Sequence, residues 1–170
     1  MSEQTTTRTK KRELVETSIF GLLFLGQVVM CVLFYNSAGL VFLVYLGWAL
    51  LAVGFFALGG PARRAFQRRG GAKSREEWLQ TQQLVESGIY AVIRHPMYLG
   101  FMVYVAALML IAQHWLSVLL GGPILVYLYV SMRAEERINL QKFGHDYRDY
   151  MQRAPRMNVL VGLFRLAFRR

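Results

Sequence analysis

Two long stretches without any charged residue constrain the fold of this chain most strongly. No Asp, Glu, Lys or Arg occurs in the 46 residues of positions 17–62 or in the 38 residues of positions 95–132. A helix that crosses a bilayer needs about 20 apolar residues, so each stretch accommodates two such helices and a tight turn. We therefore predict an all-α, polytopic membrane protein with four transmembrane helices, joined by cytoplasmic and interfacial helices. The predicted spans are residues 18–36, 39–59, 97–113 and 115–132.

The distribution of positive charge predicts the side of the membrane that each loop faces. The 20 Lys and Arg residues fall into three segments, with four in residues 1–16, seven in residues 60–96 and nine from Arg133 onward. The two hairpin turns near Asn36 and His114 carry none. The positive-inside rule then places both termini and the central loop in the cytoplasm, as in a multi-pass protein of the cytoplasmic membrane. The net charge of +10 is explained by anionic membrane lipids, without nucleic acid as a partner.

The polar segments complete the predicted domain organisation. Residues 1–16 form a basic cytoplasmic arm whose polar start we predict to be disordered, and residues 17–170 form a single domain. Ser74 and Glu77 follow a capping-box pattern, which predicts the start of a short cytoplasmic helix. The last stretch, residues 158–170, combines bulky apolar residues with arginine, which favours an interfacial helix on the inner leaflet.

Glycine, proline and cysteine narrow the possibilities further. Gly59, Gly60 and Pro61 together predict the end of the second span. Pro155 is predicted to end a polar helix that continues the fourth span. The chain has one cysteine, Cys31, so a disulfide framework is excluded. No H-E-x-x-H motif, cysteine cluster, phosphate loop or G-x-G-x-x-G motif occurs, and we predict no metal site.

Polar residues cluster at both cytoplasmic ends of the second hairpin. Two helices that a tight turn joins are antiparallel neighbours, so their far ends must lie close together. This topology brings Arg94 and His95 near Glu135 and Glu136. The aromatic residues of these segments are Tyr90, Tyr98 and Phe143. Such a site suits a zwitterionic ligand, because arginine binds carboxylates, acids accept hydrogen bonds from ribose hydroxyls, and aromatic faces favour cations.

Each member of this cluster also has a purely structural explanation. Arg94 could be an interface anchor whose charged end reaches the headgroups. His95 could cap a helix, and the adjacent acids could form a solvated helix face. Tyr90 and Tyr98 could belong to the aromatic belt of a membrane protein. Their joint occurrence at one predicted end of the hairpin favours a binding site.

Two blocks of sequence, "QLVESGIYAVIRHPMYLG" and "EERINLQKFGHDYRDYMQRAP", follow long paired patterns. The first fits L-V-x-S-G-x-Y-x-x-x-R-H-P-x-Y-x-G. The second resembles E-E-x-x-L-x-x-x-F-G-x-x-Y-x-x-Y followed by a proline, with Asn139 at the position of the leucine. In both blocks the chain resembles the isoprenylcysteine carboxyl methyltransferase family and its relatives, the phospholipid N-methyltransferases. The resemblance covers about half of the chain, residues 82–155. It implies an integral membrane methyltransferase that uses S-adenosylmethionine, bound in a pocket on the cytoplasmic side.

The resemblance also implies which residues bind the cofactor. They are Gln82, Gln83, Leu84, Val85, Tyr90, His95, Pro96, Met97, Tyr98, Gly100 and Glu135. For catalysis, we expect Arg94 or Arg137 to orient an anionic acceptor. Glu136 is expected to take the proton of an amine acceptor.

Methyl transfer from a sulfonium is an in-line displacement that depends on alignment of donor and acceptor rather than on a nucleophilic side chain. We therefore expect transfer from S-adenosylmethionine to a carboxylate, amine or thiol on an isoprenoid or lipid anchor. A sterol-reductase-like membrane oxidoreductase and a non-catalytic scaffold that binds anionic lipid are the alternatives. The sequence leaves the acceptor and the oligomeric state open.

Overall fold

A computed structural model describes residues 3–69 and 84–168, with side chains for residues 17–65 and 84–168. All regular structure in these ranges is helical, which confirms the all-α prediction for them. The elements are α1 (Glu3–Leu33), α2 (Val41–Val53), a π-helix (Gly54–Gly59), α3 (Gly60–Arg69), α4 (Ile89–Val92), α5 (Pro96–Ala112), α6 (Trp115–Phe143), α7 (His145–Arg153) and α8 (Val159–Ala167). The capping-box residues Ser74 and Glu77 lie outside the described residues.

Apolar helices occupy all four predicted spans, and two of them are long enough to cross a bilayer. The helical segments Val41–Ala65 and Trp115–Phe143 have 25 and 29 residues, and the most apolar 18 consecutive residues of each have mean hydropathies of 2.4 and 1.7. Thr17–Leu33 and Pro96–Ala112 are also apolar but shorter. Length and composition therefore support a membrane protein with two candidate spanning helices, whereas four spans and cytoplasmic termini stay predictions.

Helix α1 begins much earlier than the sequence predicts. We expected the polar start of the arm to be disordered, but the helix runs from Glu3 to Leu33, over 31 residues. No glycine or proline occurs before Gly21, so nothing in the arm interrupts the backbone hydrogen bonds that extend from the apolar part.

The glycine and proline residues after α2 do not end the helix, and this prediction was wrong. The backbone passes through the π-helix Gly54–Gly59, in which the N–H of Gly60 donates to the carbonyl oxygen of Phe55. A proline ring in an α-helix normally clashes with the carbonyl of the preceding turn. The wider π turn relieves that clash at Pro61, so helical structure continues to Arg69.

The residues of the predicted arm and of the predicted single domain together form two compact units. The first unit comprises the residues up to Trp48 together with Val105–Tyr127. The second comprises Ala49–Tyr104 and Leu128–Arg170.

Reciprocal hydrogen bonds join the two hairpin turns within the first unit. The N–H of Asn36 donates to the carbonyl oxygen of Ile111 at 2.9 Å. The side chain of Gln113 donates to the carbonyl oxygen of Leu40 at 2.8 Å and accepts from the N–H of Leu40 at 3.0 Å. The two turns are thus directly joined to each other within this unit.

A polar pair is buried between the apolar helices of the same unit. Gln27 and Ser117 are both fully buried, and Nε2 of Gln27 donates to Oγ of Ser117 at 2.8 Å. Burying an amide without a partner is costly, so this bond fixes how α1 packs against α6.

In the second unit, two apolar clusters hold the segment that leads into α5. The first contains Ala62, Val85 and Tyr90, and the second contains Tyr147, Tyr150 and Ala154. The hydroxyl of Tyr150 donates to the carbonyl oxygen of Tyr90 at 2.7 Å and so links the two clusters. Gly88 lies immediately before α4 and has a φ of 65°, a conformation that favours glycine. This packing fixes the backbone immediately before Arg94.

Candidate functional site

The carboxylate of Glu136 is buried between two arginines of the second unit. Nη2 of Arg94 donates to Oε1 at 2.7 Å, and Nη2 of Arg156 donates to Oε2 at 2.6 Å. Nε of Arg156 contacts both oxygens, at 3.1 and 3.0 Å. The residue is 4% exposed, so this charge is almost completely removed from water. Both of its oxygens are occupied by charge-assisted hydrogen bonds.

These contacts keep Glu136 ionised. Burial raises the pKa of its carboxyl, but the contacts with His95 and the two arginines lower it more, and the pKa lies well below its usual range. The group lies beyond the apolar part of α6, which ends at Met132. A carboxylate with so low a pKa accepts a proton poorly at neutral pH. Its surroundings therefore favour a positioning role over the expected role as a proton acceptor.

Arg94 connects the start of α5 to the end of α7. Its Nη1 donates to the carbonyl oxygens of Met151 at 2.9 Å and Ala154 at 2.7 Å. Its backbone N–H donates to the carbonyl oxygen of Pro155 at 3.0 Å. Among the described residues, Nε of this guanidinium is left without a hydrogen-bond partner. Most of its donors thus serve the fold, which leaves little of the guanidinium for an acceptor.

His95 is buried beside the same carboxylate. Its Nε2 lies 3.3 Å from Oε1 of Glu136, near enough to act on that charge, but the geometry is not that of a hydrogen bond. Within the described ranges this ring nitrogen has no hydrogen-bond partner. The backbone N–H donates to the carbonyl oxygen of Arg156 at 3.2 Å, and the ring meets Tyr98 edge-on at 5.7 Å between centroids. A buried polar atom of this kind calls for a partner, such as a ligand.

Glu135 differs from its neighbour on α6. It is half-buried and makes no hydrogen bond or ion pair with any residue that the structure describes. Burial raises the pKa of Tyr90, and the charge of Glu135 raises it further. An accessible carboxylate can accept hydrogen bonds from ligand hydroxyls.

Three other predicted cofactor-binding residues form apolar surfaces in the second unit. Val85 is part of the cluster around Tyr90, and Met97 packs against that cluster. Leu84 packs against the cluster that contains Tyr147. They supply an apolar surface near His95 but donate no side-chain hydrogen bonds.

The remaining predicted cofactor-binding residues are placed less favourably or are not described. Pro96 is fully buried at the first position of α5. Gly100 faces the π-helix, where an added Cβ would lie 3.6 Å from the carbonyl oxygen of Gly54, so it serves helix packing. Gln82 and Gln83 lie outside the described residues.

The structure leaves Arg137 outside the cluster and adds Arg156, which the sequence analysis missed. Arg137 is exposed, because it lies about 100° around α6 from Glu136. Arg133, one turn earlier on α6, is also exposed and donates to the hydroxyl of Tyr129 at 3.4 Å. A buried acid needs more than one cation, and this was the one indication that a second arginine such as Arg156 is required. The sequence does not show which arginine it is, because Arg156 lies twenty residues from Glu136.

The predicted meeting of the two helix ends is confirmed within the second unit. The start of α5 and the polar part of α6 are joined directly by Arg94 and Glu136. The imidazole of His95 faces Glu136 rather than Glu135. No group of three or more His, Cys, Asp or Glu side chains able to hold a metal occurs in the described parts of the chain.

A family model for phospholipid methyltransferases matches residues 70–146, which include both joined helix ends. This segment is thus similar to the phospholipid methyltransferase family. The resemblance that the two sequence blocks indicate is therefore confirmed. No solved structure matches the chain.

Curated relatives resemble either the family segment or more of the chain. A Methanethiol S-methyltransferase 1 of Bradyrhizobium diazoefficiens is 39% identical over 66 residues, which are 38% of this chain and 22% of the relative. A Protein-S-isoprenylcysteine O-methyltransferase of Schizosaccharomyces pombe is 27% identical over 152 residues, 84% of this chain and 61% of the relative. A Methanethiol S-methyltransferase of Pseudomonas deceptionensis is 29% identical over 122 residues, 69% of this chain and 44% of the relative. The chain thus spans about a fifth to three fifths of these relatives.

Proposed function

We propose that this protein is a multi-pass membrane methyltransferase that moves a methyl group from S-adenosylmethionine to a lipophilic acceptor at the cytoplasmic face. The observation that carries the proposal is the site itself. Within the family segment, the start of α5 and the polar part of α6 meet at Glu136. They present Nε2 of His95, which has no hydrogen-bond partner among the described residues, and the carboxylate of Glu135. The family match favours methyl transfer over the sterol-reductase-like and scaffold alternatives.

The side chains at this site fit a cationic nucleoside with a carboxylate. Glu135 suits ribose hydroxyls, and Nε2 of the buried His95 suits a polar group of the ligand. The ring of Tyr90 and the carboxylate of Glu135 suit a sulfonium, because aromatic faces and carboxylates both attract cations. We assign the cofactor contacts to Tyr90, His95, Tyr98 and Glu135, with Val85 and Met97 as an apolar wall. Gly100 is left out of this assignment because it packs on the π-helix.

When bound, S-adenosylmethionine supplies a methyl group that is already activated for displacement. The task of the chain is to orient the reactants and to keep water away, and alignment alone can contribute about 7–11 kcal/mol. Arg94, Glu136 and Arg156 hold the backbone of His95 in place through contacts with three separate segments. We assign these three residues to positioning and not to bond making.

The charge state of the site favours acceptors that ionise readily. A thiol or a carboxylic acid gives up its proton near neutral pH without a strong base, whereas a protonated amine needs one. Glu136 is a poor base, and Glu135 is committed to the cofactor in this proposal. We therefore favour a thiol or a carboxylate on an apolar group, in line with the thiol and prenylcysteine acceptors in the names of the relatives.

Calorimetric titration of the detergent-solubilised protein with S-adenosylhomocysteine tests the cofactor site. We expect binding by the wild type and at least tenfold weaker binding by Glu135→Gln, because the variant keeps its shape but loses an anionic acceptor. Arg137→Gln is the matched control on the exposed side of α6 and should bind like the wild type. A folded wild type that does not bind, or equal binding by both variants, contradicts the assignment.

Consumption of labelled S-adenosylmethionine tests the reaction. The purified protein is incubated in turn with methanethiol, with a prenylcysteine and with a long-chain amine. Methylation of the thiol or the carboxylate, but not of the amine, is the expected result. Preferential methylation of the amine would overturn the acceptor assignment, and no turnover with any of the three or with a lipid extract would favour the scaffold.

A further inference from the structure

The C-terminal helix α8 turns its apolar face away from the protein. Residues at spacings of three and four share one face of a helix. On this face the exposed fractions are 79% for Leu160, 49% for Leu163, 64% for Phe164 and 72% for Phe168. A surface helix in water has the opposite arrangement, with its polar side outward. The outer face of α8 therefore requires an apolar environment.

The opposite face of α8 is fixed tightly to the second unit. Gly162 is buried against α4, and an added Cβ would overlap the carbonyl oxygen of Val92. Nη1 of Arg165 donates to the carbonyl oxygen of Gln152 at 2.9 Å. Asn158 caps the first turn with its side chain. The orientation of the helix is thus set by contacts on its inner side, and the outward apolar face is not a consequence of loose attachment.

We propose that α8 inserts this face into the bilayer leaflet beside the candidate site, as a membrane-anchoring helix. Lipid is the occupant that two observations favour. Phe55 and Phe56 of the candidate spanning segment in the same unit are likewise 59% and 74% exposed, and they need the same medium. Arg169 and Arg170 follow α8 in the sequence and complement anionic headgroups.

This anchor has a consequence for the candidate site. Gly162 rests on Val92, two residues before Arg94, so contact of α8 with the leaflet sets the depth of the site at the lipid surface. For an acceptor on a lipid anchor, that depth places the reactive group level with the site. The consequence rests on the proposed function, whereas the membrane contact itself does not.

Spin labelling of the full chain tests the membrane contact without cofactor or acceptor. Cys31→Ala removes the single native thiol, and Phe164→Cys or Leu160→Cys introduces a label on the outer face. Gln152→Cys, exposed on α7, is the matched control. In nanodiscs of phosphatidylcholine and phosphatidylglycerol, collisions with oxygen report lipid and collisions with a nickel chelate report water.

We expect the labels at positions 160 and 164 to collide mainly with oxygen and the label at position 152 to collide mainly with the chelate. Equal access of the chelate to all three labels would overturn the proposal. Spin–spin broadening at position 164 that disappears on dilution with unlabelled protein would overturn it as well, by identifying a second copy as the occupant. Circular dichroism confirms that each variant is folded. None of these outcomes depends on methyl transfer.

Discussion

The hairpin turns of the first unit and the candidate site of the second both join helix ends that are distant in sequence, but they use different chemistry. The turns are held by neutral hydrogen bonds between Asn36 and Ile111 and between Leu40 and Gln113. The site is held by a buried carboxylate between two guanidinium groups. Neutral bonds suffice to connect two helix ends. Burying the charges of Arg94 and Glu136 for the same purpose carries a desolvation cost and leaves each of them dependent on the other.

This difference indicates where the chain has a task beyond folding. Buried charges next to uncommitted polar atoms are characteristic of binding sites, whereas the turns leave no charge to explain. Substitutions that remove one hydrogen-bond or ion-pair partner at a time from each region test this difference.

Removing the central carboxylate should have the largest effect. Glu136→Gln leaves the buried guanidinium of Arg94 and the partly exposed guanidinium of Arg156 without an anion, so the free energy of unfolding should fall by about 3–5 kcal/mol. Thermal unfolding in detergent measures the change. Glu135→Gln, with a half-buried side chain outside the ion pairs, is the control and should change stability by less than about 1 kcal/mol. Equal losses in the two variants would show that the buried cluster is not the stabilising element.

The stability of the protein should also depend on pH through the ionisation of Glu136. The pKa of Glu136 is lowered in the folded state from its ordinary value of 4.5, so its stabilising contribution is fully present above about pH 4.5. That contribution is lost as the pH falls from there toward the lower folded-state pKa. Unfolding measured from pH 7 to pH 3 should therefore show a steeper acid loss for the wild type than for Glu136→Gln. Parallel curves would refute this linkage.

Removing Arg156 should have an intermediate effect. Arg156→Met deletes the two-pronged contact but leaves Arg94 on the carboxylate, and charged hydrogen bonds of this type contribute about 1.5–3 kcal/mol. Arg156→Lys should recover part of the loss, because lysine restores the charge but not the fork. The control is Arg153→Met, which breaks a more exposed pair with Glu86 and should cost under about 1 kcal/mol.

A positioning role for Arg156 can be separated from a purely structural one. If it orients His95 through Glu136, Arg156→Lys at a temperature where it is fully folded should still bind S-adenosylhomocysteine more weakly than the wild type. Binding equal to that of the wild type would leave Arg156 with a role in stability alone.

The smallest effect is expected in the first unit. Ser117→Ala removes the partner of Gln27, and side-chain hydrogen bonds between membrane helices contribute about 0.6 kcal/mol on average and up to about 1.7 kcal/mol. Thermal unfolding of Ser117→Ala and Ser117→Thr measures this, because threonine keeps the hydroxyl. A loss from Ser117→Ala as large as that of Glu136→Gln would abolish the contrast between the two regions.

The positions of the apolar helices and the meeting of two helix ends followed from the pattern of charge. The charge-free stretches set where α2, α5 and α6 lie. A tight turn near His114 joins α5 to α6, so the start of α5 and the far end of α6 become neighbours. Local signals were less reliable where the tertiary packing competed with them. Glycine and proline after α2 predicted a helix end, yet a π-helix absorbed the proline.

Other decisions depended on contacts that cross the chain. Glu135 and Glu136 are adjacent, and no pattern states which one faces inward, because neighbouring helix positions differ by about 100°. The choice is made by Arg94 and Arg156, which approach the second position from other segments. In the same way, the sequence marks α8 as amphipathic, but the contact of Gly162 with Val92 decides which face turns outward.

By itself, then, the sequence determined the helical class, the extent of the apolar segments and the family match of residues 70–146, because charge patterning and motifs are local properties. The tertiary structure decided which of the two adjacent carboxylates is neutralised by arginines, and that an arginine after Pro155 completes the cluster. A buried charge is stable only where its partners converge in space, and residues far apart along the chain supply those partners.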